Sequence, residues 1–195
     1  GQAVKLSDLW QEKPLVIETG SKTCPIYLAN GINMDEVYKK YDLDSGQANV
    51  ILLYVREAHP GFFNQAHRSF DDKLTCAKGL RKKGIKRPIY VDDLSGQLHN
   101  QLGNLPNSSF VISRDGVLVH MAMWNKVNDL EQTLDLLVQN AGFSKGIHLH
   151  NDSQPSPNHL KPMELIKMIL GIIPFSGPDA FLDFLSSMLK PSKKT

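Results

Sequence analysis

A chain of 195 residues, 41% hydrophobic and 22% charged, can bury one substantial core, and this balance excludes a disordered or lipid-embedded polymer. Its net charge is +2, with Lys and Arg dispersed, so no nucleic-acid partner is indicated; the most basic stretch, Lys78 to Arg87, reads as a helix end and its loop. Two cysteines, Cys24 and Cys76, exclude a disulfide scaffold and a four-cysteine zinc site.

Leu15 to Thr19 is a short apolar run that ends at Gly20 and reads as a buried strand. Pro25 suits the first turn of a helix, expected over Ile26 to Tyr41. Asn49 to Arg56 is nearly continuous in apolar residues and predicts a central strand covered on both faces. His59-Pro60-Gly61 breaks into a loop. A helix follows over Ser69 to Lys83, with Phe70, Leu74, Ala77 and Leu80 on one side and Gly84 as its stop. Pro88 to Val91 is a third strand, and Gln97 to Leu102 a short helix. Ser109–Ile112 and Val117–His120 flank Asp115-Gly116 as a hairpin, before an amphipathic helix over Val127 to Gln139.

Alternation of strand and helix, then a hairpin and a closing helix, is the thioredoxin arrangement: an α/β fold with a mixed central sheet flanked by helices. It assigns residues 1–143 to one catalytic domain, with Pro106 where such folds carry a cis proline facing the active cysteine. Residues 144–162 are polar and proline-containing and read as a linker, in which His148 and His150 face solvent. Residues 163–195 read as an amphipathic helical extension, with Phe181, Phe184, Leu185, Met188 and Leu189 on one stripe. The apolar piece from Pro162 to Ile173 is about half a membrane span. These helices are expected to dock on the domain or on a second copy in a homodimer, with membrane-surface contact as the lesser reading. No signal peptide is legible, and a cytoplasmic setting is expected over a secreted one, with an N-terminal anchor left open.

A cysteine reacts as its thiolate. Cys24 follows a strand end and precedes a helix start, where free N–H groups favour a negative sulfur, and Ser21 and Thr23 supply neighbouring hydroxyls. There is no Cys-x-x-Cys, so turnover needs an external thiol; Cys76 reads as a half-buried structural residue rather than a resolving thiol. Glu57 and His59 follow the central strand, and His67 comes eight residues later, so the strand's carboxyl end places them on the rim of Cys24. There an imidazole can protonate a leaving group and a carboxylate can orient it. Glu57, His59 and His67 lack a tight ligand spacing, and no metal or cofactor is expected.

Three motifs in order, Gly20-Ser21-Lys22-Thr23-Cys24-Pro25, Tyr54-Val55-Arg56-Glu57-Ala58-His59-Pro60 and Gln65-Ala66-His67-Arg68-Ser69, resemble the catalytic domain of the iodothyronine deiodinases. That family has Gly-Ser-x-Thr-selenocysteine-Pro, Tyr-x-x-Glu-Ala-His-Pro and Gln-His-Arg-Ser at the matching places. The resemblance covers Leu15 to Gly142. It implies a thioredoxin-like fold and reductive removal of iodine from an aromatic ring, as in thyroxine 5-deiodinase activity. By the same resemblance Cys24 is the nucleophile; Ser21, Thr23, Glu57, His59 and His67 handle protons and hydrogen bonds; and Tyr54, Arg68 and Pro106 stand on the substrate side. The implied partners are a halogenated aromatic molecule and a thiol reductant. The chain departs from the family in carrying cysteine for selenocysteine, in a shorter loop between His59 and His67, and in lacking an arginine around His120 to Lys126. A peroxiredoxin-like thiol peroxidase and a non-catalytic interaction module are the alternative readings.

Overall fold

The computed structural model describes residues 2–152, 178–179 and 181–186. Its strands form one mixed sheet. β1 (Leu15–Gly20) and β2 (Asn49–Tyr54) run parallel at the centre, in register from Leu15–Asn49 to Gly20–Tyr54. Every residue of β1 is buried and β2 is nearly so, which is why neither shows a polar alternation. β3 (Ile89–Val91) adds parallel to β2, β4 (Ser109–Ile112) antiparallel to β1, and β5 (Leu118–Ala122) antiparallel to β4.

A sixth strand, β6 (His150–Asp152), pairs parallel with β5 and completes the order β3-β2-β1-β4-β5-β6. It lies inside the stretch read as a linker. An edge strand of three residues needs only backbone groups, so its polar sequence gives no sign of it. His150 packs its ring on His120, with centroids 4.9 Å apart and planes within 10°. The expected linker beyond residue 152, the apolar piece at 162–173, and Met188 and Leu189 lie outside the described residues.

The helices follow the sequence with local adjustments. α1 (Pro25–Tyr38) runs on as a π-helical turn, Lys39–Asp44, past the expected end at Tyr41. α2 (Phe70–Lys82) starts at a capping box: Ser69 Oγ accepts from the Asp72 amide, and the Asp72 carboxylate accepts from the Ser69 amide. α3 (Gln97–Gln101) is a short turn, and α4 (Val127–Gln139) has the predicted bounds. The crossovers from β1 to β2 and from β2 to β3 step the same way across the sheet. Right-handed connection then puts α1 and α2 on one face, while the return through α3 uses the other.

The core agrees with this layering. Met34, Val37 and Tyr41 pack with Leu130, Leu134 and Leu137 of α4 over Val16, Val50, Val111 and Val119. Beside them, Tyr27 and Leu28 meet Ala77 and Leu80 of α2 over Leu52 and Tyr54. The opposite face gathers Leu15, Ile17, Ile51, Leu53 and Phe110 beneath Leu98 and Leu102 and an N-terminal turn at Leu6–Leu9. No helix among the described residues is long and apolar enough to cross a membrane.

Candidate active site

The parallel pair β1 and β2 end side by side, so the turns that leave them share one rim of the sheet. Gly20 closes β1 under the ring of Tyr27, where any Cβ would collide with that ring. The chain then turns through Ser21 to Thr23 and enters α1, with Cys24 at the N-cap and Pro25 in the first turn.

Glu57 is the centre of the rim. Its Oε2 accepts hydrogen bonds from the Thr23 amide at 2.9 Å and the Thr23 hydroxyl at 2.6 Å. Its Oε1 accepts the Tyr54 hydroxyl and lies 3.1 Å from His67 Nε2. Thr23 Oγ1 also accepts the His59 amide at 3.1 Å, and Ser21 Oγ accepts the Ala58 amide at 3.2 Å. Burial alone would raise the Glu57 carboxyl, but His67, Thr23 and Tyr54 hold it below the usual range. A buried carboxylate is therefore kept ionised by its donors, and as an acceptor it fixes the hydrogen of His67 on Nε2.

The sulfur does not match the expectation of an activated thiolate. Cys24 is 3% exposed and packs in the apolar cluster with Tyr27, Leu28, Tyr54, Ala77 and Leu80. Burial pushes its thiol up to about 12, the amides of Ile26 and Tyr27 pull it down, and the carboxylates of Glu18 and Glu57 add to the rise. Low dielectric around the sulfur outweighs the helix terminus. The resting form is the neutral thiol.

Of the other residues singled out in the sequence, Ser21, Thr23, Tyr54 and His67 meet at this rim. His59 sits beside it, with its ring edge-on to Phe184 at 5.0 Å. Burial lowers its affinity for a proton. Arg68 is exposed and holds Gln65 Oε1 at 2.6 Å. Pro106 lies in the turn before β4, and its peptide bond is trans, since no cis bond occurs among the described residues. The closure there is made instead by Asn107, at φ 79°, whose amide donates to the Thr19 carbonyl at 2.8 Å and whose side chain accepts from Asn30 at 3.2 Å. A left-handed Asn turns the chain without a cis bond.

A groove of about 460 Å³ opens beside Glu57 and His67, and Lys22, Phe62, Phe63 and Cys76 share its wall. Phe62 is 86% exposed and stands edge-to-face on Phe63, with centroids 5.2 Å apart. An aromatic molecule could lie against such a pair. Sequence reasoning missed these phenylalanines and gave Cys76 a structural role. It also missed Asn64, which is buried through the helical residues 181–186. Asp183 accepts the Asn64 amide at 2.8 Å and its side-chain amide at 3.0 Å, and approaches so closely that Gly61 has no room for a side chain. The amphipathic stripe through Phe181 and Phe184 was the signal for this docking, though not for its target.

Comparison with known proteins agrees with this geometry. Residues 2–125 match the iodothyronine deiodinase family. The type I iodothyronine deiodinase of Xenopus laevis is 25% identical over 114 residues, covering 54% of this chain and 44% of that protein. The human thyroxine 5-deiodinase is 23% identical over 115 residues, covering 54% and 37%. The chain thus spans less than half the length of these curated relatives. Among solved structures, a thiol-disulfide isomerase from Corynebacterium glutamicum superposes with a TM-score of 0.53 at 18% identity, covering 70% of this chain and 87% of that one. An exposed lipoprotein thioredoxin from Streptococcus pneumoniae gives 0.51 at 24%, covering 70% and 93%. The sheet order, the strand-end cysteine and the family match agree, and this thioredoxin-like chain belongs to the iodothyronine deiodinase family.

Proposed function

We propose that this chain is the thiol-bearing domain of a deiodinase-like reductive dehalogenase, acting on an iodothyronine or a related halogenated phenol without a bound cofactor. The observation that supports it most is the Thr23–Glu57–His67 network, built around an ionised carboxylate that binds Thr23, the residue before Cys24, and open to an aromatic-walled groove.

The chemistry balances with an external thiol. The Cys24 thiolate takes iodine from the ring carbon, the C–I electron pair stays on that carbon, and a proton from the imidazole side of the rim makes the new C–H bond. Cys24 is left oxidised as a sulfenyl iodide. One external thiol displaces iodide to form a mixed disulfide, and a second releases Cys24 and leaves as half of a disulfide. Two external thiols and the aryl iodide give the arene, iodide, a proton and one disulfide. Because the resting thiol is neutral, substrate binding must open or repolarise the sulfur before attack.

Iodide release from thyroxine under excess dithiothreitol tests this reading. Release by wild type and none above background from Cys24→Ala is the expected result; equal traces from both would sink it. The neutral, enclosed Cys24 favours a second reading, a non-catalytic thioredoxin-like module, and that same null result would support it.

A further inference from the structure

We propose that Glu57, His67 and Cys76 form an open binding site for a zinc-class divalent cation. One donor atom from each lies within 4.8 Å of the other two. Glu57 and His67 come from the two ends of the connection between β2 and α2, and Cys76 from the second turn of α2, so no short sequence spacing announces them. Thiolate, imidazole and carboxylate together suit a borderline-soft ion such as zinc, and they disfavour calcium or magnesium, which take oxygen.

The surroundings are those of a supported ligand set. Thr23 holds Glu57 Oε2 through both its amide and its hydroxyl, which aims Oε1 at His67, and the Tyr54 hydroxyl steadies Oε1 from the other side. Such outer partners orient ligands and tune a metal. The His67 and Glu57 side chains are 5% and 1% exposed, so both stay in place without the ion. All three residues line the groove of about 460 Å³, which supplies an entry path and room for a fourth ligand from solvent. Binding replaces the Glu57–His67 hydrogen bond. The imidazole carries its hydrogen on Nδ1 and presents Nε2, and the Cys76 thiol releases one proton to solvent.

Occupation would take Glu57 and His67 out of proton handling, so the cation would inhibit. That consequence rests on the reading in the preceding section, whereas the site itself does not.

The test uses the full chain, reduced and freed of metal by a chelator, then titrated with zinc chloride by calorimetry and with cobalt chloride by absorbance. We expect one ion per chain and the near-ultraviolet band of a cobalt–thiolate bond, in wild type and in Cys24→Ser alike. Cys76→Ser loses the band, and His67→Gln weakens binding by about tenfold or more, with far-ultraviolet circular dichroism of both variants unchanged. Absence of saturable binding at one ion per chain would overturn the proposal. So would a band that survives Cys76→Ser and vanishes in Cys24→Ser. A chain that gives the Cys76-dependent band yet releases no iodide keeps the metal site and loses the dehalogenase reading.

Discussion

Two buried glutamates, Glu18 within β1 and Glu57 just past the end of β2, are treated in opposite ways. Glu18, in the middle of β1, is sealed: its side chain is 0% exposed and meets the equally buried Arg87 guanidinium and Asn125 Nδ2 at 3.1 Å. Arg87 in turn holds Asp35 at 2.8 Å and the Gly31 carbonyl at 3.2 Å, tying β1 and α1 to the segment before β3. Burial pushes the Glu18 carboxyl up, and Arg87 only partly pulls it back. Glu57 is held below the usual range by hydroxyls, an amide and an imidazole, none of them a permanent charge, and it faces a groove. A fixed cation makes a structural tie, whereas neutral donors and a titratable ring make a carboxylate that can exchange partners.

The contrast can be broken from either side. The largest expected effect is on turnover: Glu57→Gln keeps the shape but loses the charge, and iodide release should fall by about 10²–10⁴-fold, the usual span for a proton-handling group. Its thermal midpoint should fall by several degrees, because the new amide group faces buried donors, while the chain stays folded; a collapse of the fold without a specific rate loss would make Glu57 structural like Glu18. Next comes Arg87→Met, which leaves Glu18 buried and unpaired. Denaturant unfolding should show a loss of about 3–5 kcal/mol, most of it recovered when Glu18→Leu is added. No recovery in the double variant would mean that Arg87 acts through Asp35 and Gly31 instead.

Smaller effects test the borders of the rim. Asp183→Ala removes the acceptor that Phe63 and Asn64 share, and limited proteolysis between Pro60 and Ala66 should quicken several-fold. Unchanged cleavage would show that Phe184 against His59 suffices to hold the loop. The smallest effect is on the sulfur. With its thiol raised to about 12, Cys24 alkylation by iodoacetamide should be slow at neutral pH and rise about tenfold per pH unit toward that value, since only the thiolate reacts. In Glu57→Gln that profile should shift slightly to lower pH, because the carboxylate charge that opposes the thiolate is gone. A profile levelling off near neutral pH would show an activated thiolate after all.

Much of this molecule was determined by its sequence alone. The apolar runs Leu15–Ile17 and Val50–Tyr54 suit the centre of a sheet covered on both faces, and Ser69, Gly84 and Asp115-Gly116 mark boundaries through local backbone preferences. The three motifs named Cys24, Glu57, His59 and His67 because a site's residue types are written in the chain. Tertiary structure decided what depends on the environment. Cys24 is neutral because of what packs around it, not because of its neighbours in sequence. Cys76 joins Glu57 and His67 only because α2 lies on the same face as α1. Asn107 rather than a cis Pro106 closes the turn against Thr19, and β6 adds to the sheet through backbone groups that every residue carries. Desolvation and convergence are properties of packed space, and a linear pattern records them only where packing leaves a periodic trace.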